Sequence, residues 1–416
     1  MKSTPLLFVF YMFSCIAWAQ DVEEQELEEG QPSFGGVDQV DNRIKLDSEL
    51  APFMEMQFLS PYFGFKERVK DKTGLSFAVD YNSLYMSSTA DIGEGHAGSG
   101  VFRFYGSWDL VGKESGNLGS FIYKVEHRHA YTDIPPSGLG FDMGYAGLVA
   151  LTFSDQQWRA TNFYWRQRFA KGRIAMVAGF MDMTDIFDVY ALASPWTHFS
   201  NYTFSTGNAA VALPNDGYLG IAAGGWITDN LYTILGLGDI NSDPTDIFNG
   251  FDTFFNEGEY FKHFEVGFTT SKEYIFLDNV HASFWQRDAS SFTGDPKGWG
   301  MVFSGTTYIN KTYLPFLRYA YSEDGGAILS HSLSTGIGYQ PIEGSHMLGF
   351  GANWGQVNEN SFGPGLQDQW TFELFLRLHL TKLITFTPDF QYLINPALNP
   401  DQGSVFLFGI RGRIAL

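Results

Sequence analysis

Between residues 100 and 416, charged and aromatic side chains recur two residues apart, the spacing that puts successive members on one face of a β-strand. Arg103 and Tyr105 open the series, followed by Lys124, Glu126 and Arg128, then Trp158, Tyr164, Arg166 and Arg168. His263 and Glu265 come next, then His281, Trp285 and Arg287, then Arg318, then Glu373, Arg377 and His379, and last Arg411 and Arg413. A guanidinium or carboxylate can hydrogen-bond vicinal hydroxyls in a bidentate way. An indole or phenol ring offers a flat apolar surface to the C–H face of a pyranose. The chemistry to expect is therefore reversible contact with small polar solutes, sugars first among them. The plainer reading of any single member is a charge that neutralises its neighbour across a wet space and gives mild ion selectivity.

Other chemistry has thinner support. His198-Phe199-Ser200-Asn201 contains the residue types of a hydrolytic site, but a triad is defined in space rather than in sequence. Asp182, Asp185 and Asp188 have a spacing that could suit a cation, although a strand-end loop is where Asp belongs on turn propensity alone. His127 and His129 alternate with the Glu126/Arg128 series and are expected on the opposite face, toward the wall exterior or a neighbouring subunit. No cofactor and no resident metal are expected.

The elements that must carry these residues are strands. From Leu75 onward the chain repeats runs of about 9 to 13 residues with period-two alternation, the length a tilted strand needs to cross a bilayer. In the clearest run Phe372, Leu374, Leu376, Leu378 and Leu380 share one face. Thr371, Glu373, Phe375, Arg377 and His379 share the other, as in a wall between lipid and water. Sixteen such runs are expected, at 75–86, 100–110, 119–131, 158–169, 173–181, 217–227, 231–239 and 260–270, then 279–288, 298–308, 312–321, 329–340, 346–354, 370–380, 384–394 and 404–416. From residue 170 the connections alternate short and long: Ala170-Lys171-Gly172, then 182–216, then Thr228-Asp229-Asn230, then 240–259. That rhythm predicts an all-β, transmembrane, antiparallel up-and-down barrel of 16 strands. Residues 145–153 have strand composition, but a seventeenth strand would put the two chain ends on opposite sides. The stretch 132–157 is therefore read as one long outer connection that can fold into the lumen as a constriction.

Composition agrees. Aromatics make up 17% of residues and glycines number 46, while no apolar stretch after the leader is long enough for a membrane helix. Residues 1–19, with Lys2, an apolar run from Leu6 to Ala17 and Ala17-Trp18-Ala19, read as a signal peptide. Cys15 lies within it, in a context that fits a lipidation site poorly, so the mature chain holds together without disulfides. Residues 20–60 form an acidic, solvated N-terminal segment, with ten acids between 20 and 50 against Arg43 and Lys45. The barrel domain, 61–416, begins with a short helix near Pro61–Val69. The net charge of −20, without a basic cluster, excludes nucleic acid as a partner. The partners expected are solutes and outer-membrane lipid, with association into a homo-oligomer left open. With no domain of more than about 100 residues ahead of the strands, a plugged active transporter is not expected.

Several segments in order resemble carbohydrate-selective porins of the OprB type. They are Gly172 to Ala175, Asp182 to Asp188, Ala193-Ser194-Pro195-Trp196-Thr197-His198-Phe199, Leu219 to Asn230, Phe362-Gly363-Pro364-Gly365, and Thr387-Pro388-Asp389-Phe390 through Pro396 with Asn399-Pro400-Asp401. The resemblance covers about residue 61 to the end. It implies a sixteen-stranded barrel in the outer membrane of a Gram-negative bacterium, with passive uptake of sugars, no enzymatic activity, and no assignment of the sugar-contacting residues. Two features depart from it, the acidic segment and the final Leu416 where many such barrels end on an aromatic. A general or anion-preferring porin is the alternative supported by the arginines, and a lipid hydrolase using Ser200 and His198 the more distant one.

Overall fold

The computed structural model describes residues 59–272, 274–341 and 346–416. The expected leader, and all of the acidic segment up to residue 58, lie outside the described residues. Sixteen antiparallel strands follow one another around a closed barrel, each paired with its sequence neighbours and the first with the last. They are β1 (Leu75–Ser88), β2 (His96–Val111), β3 (Gly119–Ala130), β4 (Gln157–Phe169), β5 (Ile174–Met181), β6 (Tyr218–Trp226), β7 (Leu231–Asp239) and β8 (Tyr260–Thr269). The second half comprises β9 (Asn279–Arg287), β10 (Gly298–Thr306), β11 (Tyr313–Asp324), β12 (Leu329–Tyr339), β13 (Met347–Val357), β14 (Gln369–His379), β15 (Ile384–Ile394) and β16 (Ser404–Ala415). Closure leaves no strand edge unpaired, the condition for β-structure inside hydrocarbon. Helix α1 (Ser60–Thr73) precedes β1 and ends at Gly74 in the left-handed conformation, whose N–H donates to Lys70 O at 2.7 Å. It rests against the wall through Phe65 and Phe77, whose ring centroids are 6.5 Å apart.

The alternation read from sequence is the alternation of exposure. On β14, Leu374 and Leu376 are exposed to the outside, whereas Glu373, Phe375 and Arg377 are buried on the inside. The short connections are true tight turns: Ala170, Lys171 and Gly172 all have positive φ, which a following glycine tolerates best. Short turns mark the periplasmic end of such barrels and long loops the extracellular end.

Two of the long connections enter the barrel. Residues 131–156, which include helix α2 (Pro136–Asp142), send Leu139, Met143, Tyr145, Val149 and Phe153 against Leu84, Met86, Val101, Leu393, Val405 and Leu407 of the inner wall. Residues 182–217 send Tyr190, Leu192, Phe199 and Phe204 against Leu314, Phe316, Met347 and Phe375. The two segments also bond to each other, Tyr202 N–H to Leu148 O at 2.9 Å and Leu151 N–H to Ser200 O at 3.3 Å. The expected infolding of 132–157 is thus present, but the longer 182–217 segment goes in as well. That explains the apolar side chains on an inward face that water alone would have made polar: they are receptors for the infolded chain.

Candidate functional site: the charged inner wall and the segments it holds

The inward charges fall into clusters along the barrel wall. In the first, Asp80 on β1 accepts from Arg103 Nε at 2.7 Å and Arg413 Nε at 2.9 Å, joining β1, β2 and β16. The Trp196 ring of the second infolded segment lies 4.1 Å from the Arg103 guanidinium carbon and 5.7 Å from that of Arg128. Its other neighbour is Phe153 of the first infolded segment, 5.8 Å between centroids. Both segments therefore meet at the stretch of wall that carries Arg103, Glu126 and Arg128.

In the second cluster Arg128 Nε donates to Glu126 at 2.9 Å, and Arg128 Nη2 reaches Asp216 at 2.7 Å. Arg159 also donates to Asp216. Lys124 lies 3.6 Å from Asp182 and 3.8 Å from Asp185. The Asp182/Asp185/Asp188 spacing is thereby resolved: the first two face a lysine, and the third belongs to a different cluster. Among the described residues no group of three or more His, Cys, Asp or Glu is arranged to hold a metal ion.

The third cluster is completely buried. Asp188 sits in the left-handed region at φ 50°. Its carboxylate pairs with Arg318, accepts from Gly207 N–H at 2.6 Å and lies 3.0 Å from His281 Nε2. Its own N–H donates to Glu265 at 2.8 Å. Arg318 in turn donates to Ser205 O at 2.7 Å and stacks 4.3 Å over the Tyr190 ring. Burial pushes the Asp188 carboxyl up, but the Arg318 guanidinium, His281 and the Gly207 N–H outweigh it and hold the group below its ordinary value. A depressed folded-state value contributes stability that is present above the unfolded carboxylate value of about 4 and lost as pH falls through the lower folded one. The difference in planar-bilayer conductance between wild type and Asp188→Asn is therefore expected to stay constant from neutrality down to about pH 4 and to narrow below it. A difference that already vanishes at pH 6 would contradict the clamp.

The fourth cluster holds the residues once considered for hydrolysis. Ser200 Oγ donates to Val149 O at 3.1 Å and receives Gln391 Nε2 at 2.8 Å, while Glu373 accepts from the Ser200 and Asn201 backbone N–H groups. His198 Nε2 lies 3.0 Å from Arg377 Nη1, and its Nδ1 lies 3.2 Å from Thr197 Oγ1. Arg411 donates to Pro195 O and His198 O, each at 2.7 Å. The serine and the histidine thus have separate structural partners rather than each other.

Of the inward residues expected from the spacing, Tyr105, Tyr164 and Arg166 are buried on the inner wall. So are Glu265, which accepts from Tyr232 and Ser283, Trp285, stacked on Phe261 at 5.8 Å, and Arg287, which donates to Gly325 O at 2.7 Å. His263 packs its ring against Phe187 of the infolded segment at 5.3 Å. Arg168 is half-buried near the periplasmic end of β4. Trp158 is a correction. It is 59% exposed and packs against His127 and Phe102 on the outer face. The register between β3 and β4 slips between Lys124 and Val125, so that Thr161 and Asn162 are both buried. This bulge reverses the alternation, and Arg159 rather than Trp158 points inward. His127 and His129 face outward as expected, with His129 Nε2 3.1 Å from Tyr81 Oη. Sequence reasoning missed Asp80 and Asp216; the first occupies the inward register of β1 opposite Arg103, a legible signal, while the second lies in a loop with no periodicity to reveal it.

Residues 333–416, the last strands of the barrel, match the model of the carbohydrate-selective porin, OprB family. The chain as a whole has the fold of a sixteen-stranded porin barrel. Its fold is similar to that of Pseudomonas putida OprB in the high-pH structure, with TM-score 0.67 and 14% identity over 85% of this chain and 97% of that one. The low-pH structure of the same protein gives TM-score 0.52 at 12% identity, over 87% and 99%. A loop-deletion mutant of OmpT, an outer-membrane protein of Vibrio cholerae, gives 0.50 at 13%, over 82% and 99%. No curated protein sequence matches the chain.

Proposed function

We propose that this chain is an outer-membrane porin of the OprB type for passive diffusion of solutes, that it favours sugars of monosaccharide size, and that selection occurs where Trp196 faces Arg103, Glu126 and Arg128. The observation that carries the reading is the indole ring beside two guanidinium groups, with their central carbons 4.1 and 5.7 Å from its centroid. A pyranose needs the same combination, a flat apolar face beside charged donors and acceptors for its hydroxyls. The two infolded segments make the passage narrow, which disfavours larger solutes on size. Arg166, Arg168 and Arg377 would extend the polar track toward the periplasm, with Arg287 on the extracellular side and Lys124, Glu265, Trp285, Tyr105 and Tyr164 completing its lining. Liposome swelling with mono- and disaccharides tests the proposal. Wild type is expected to admit monosaccharides faster than their size alone allows, and Trp196→Ala to lose that advantage while still passing small ions. Swelling that follows solute size in both proteins would refute it. The anion-preferring alternative has the inward arginines in its favour, but Arg103, Arg128, Arg318 and Arg413 each have a carboxylate partner. Only a strong anion preference abolished by Arg166→Ala and Arg168→Ala would restore it.

A further inference from the structure

The extracellular connection between β7 and β8 does not enter the barrel. It turns outward over the lipid-facing wall. In the strand registers Phe163, Phe180, Leu219 and Asp239 form one row across the outer face of β4 to β7. Phe163 is exposed, as a lipid-facing residue should be, yet Phe180, Leu219 and Asp239 in the same row are buried. What covers them is helix α3 (Asn249–Asp252), continued by a wider helical turn at Thr253–Glu257. Gly250 lies on the Phe180 ring, where an added Cβ would come within 2.7 Å. Thr253 Oγ1 donates to Asp239, whose carboxylate also accepts from Ser242 Oγ at 2.6 Å. With Gly250 and Thr253 turned to the wall, the opposite side of the helical stretch presents Phe248, Phe251 and Phe255, 77%, 52% and 72% exposed. Three phenylalanines at i, i+3 and i+7 make one apolar stripe.

Immediately below this overhang, toward the membrane centre, the outer wall is dented. A depression of about 460 Å³ runs down to Gln167 and Phe169 at the periplasmic end of β4; the small side chains Ala178 and Ala223 floor it, with Trp165 and Met176 on one side and Ile221 and Leu235 on the other. On the neighbouring strands Lys262 Nζ lies 2.9 Å from Gln286 and 2.9–3.0 Å from the Asp288 carboxylate, a polar group on the outer face at the level of the upper margin of the dent. Polar side chains on a lipid-facing wall belong at the headgroup level. The helical stretch therefore lies at the headgroup boundary, and the dent runs from beneath it along the hydrocarbon-facing wall toward the periplasmic end of β4.

We propose that the helical stretch 249–257 is an interfacial anchor in the outer leaflet, and that the dent beneath it holds one acyl chain of a membrane lipid. The position in the membrane-spanning wall selects hydrocarbon as the occupant, and so does the lining, which carries no charged side chain. A stripe of phenylalanine buried at the headgroup–acyl boundary is what lets a short amphipathic segment lie in the membrane plane. A second copy of the chain is the less suitable occupant, because the overhanging helix stands proud of the wall and keeps another barrel from meeting it flush. The inference depends on the barrel's place in the membrane and is independent of which solute passes through it.

The test uses full-length protein extracted from outer membranes in mild detergent and examined by native mass spectrometry. Wild type is expected to keep one lipid adduct after exchange into a delipidating detergent, and Ala223→Trp, which fills the floor of the dent, to lose it. Phe248→Ser/Phe251→Ser/Phe255→Ser is expected to weaken retention while leaving the heat-modifiable mobility of the folded barrel and its conductance unchanged. A wild type without an adduct, an adduct equally retained in Ala223→Trp, or a dimer or trimer mass that Ala223→Trp dissociates would each overturn the proposal, the last by assigning the dent to a second copy.

Discussion

Replacing Arg318 by Ala is expected to raise single-channel conductance and let disaccharides swell liposomes that wild type leaves almost unchanged. Arg318 is fully buried, and its guanidinium joins three parts of the infolded segment: the Asp188 carboxylate, the Ser205 carbonyl and the Tyr190 ring. Removing it leaves the Asp188 carboxylate in the same low-dielectric site with only His281 and the Gly207 N–H for partners. Breaking a buried pair from one side costs about 3–5 kcal/mol, which moves the ratio of docked to undocked segment by roughly 10²–10⁴-fold. The barrel itself is not at stake, because residue 318 joins the β10 and β12 ladders through its backbone, which the substitution keeps, and its side chain points away from the outer face. Planar-bilayer recordings provide the measurement, with Asp188→Leu/Arg318→Leu as the control. Removing both partners relieves the orphaned charge, so the double variant is expected to conduct closer to wild type than Arg318→Ala does. A single variant indistinguishable from wild type in conductance would show that the clamp does not hold the passage narrow.

The second large effect is expected from Glu373→Ala. Glu373 takes the Ser200 N–H at 2.5 Å and the Asn201 N–H at 3.0 Å, while Gln391 beside it donates to Ser200 Oγ at 2.8 Å and to Val149 O at 2.9 Å. This is where both infolded segments are tied to the wall and to each other. Loss of the carboxylate leaves two backbone donors unsatisfied, each worth about 1–3 kcal/mol when buried. Conductance should become noisy, with brief excursions to larger levels, since the Arg318 clamp still holds the other end of the 182–217 segment. In the double variant Arg318→Ala/Glu373→Ala the two effects should not add, because both act on one docking equilibrium. Strict additivity would mean that the segment undocks in independent halves.

The outer wall of the barrel was legible in the sequence except at one bulge. Hydrocarbon on one side and polar groups on the other force a strict period of two, and crossing the bilayer fixes the run length, so β14 and its fifteen counterparts announce themselves residue by residue. Tight turns such as 170–172 are equally local. The inward direction of Arg103, Glu126, Arg128 and Arg377 followed from the same alternation. It failed at Trp158, because a bulge inserts one residue without any change of composition to announce it.

What the inward residues do was decided only in three dimensions. Arg318 and Asp188 are 130 positions apart and Glu373 and Ser200 173, and no periodicity links a strand to the loop that folds back onto it. The alternation records which face each side chain occupies, because solvent and lipid act on every residue separately. Whether an inward charge meets water, solute or another segment depends on where 131–156 and 182–217 come to rest, and that is set by shape complementarity and charge pairing summed over many distant strands.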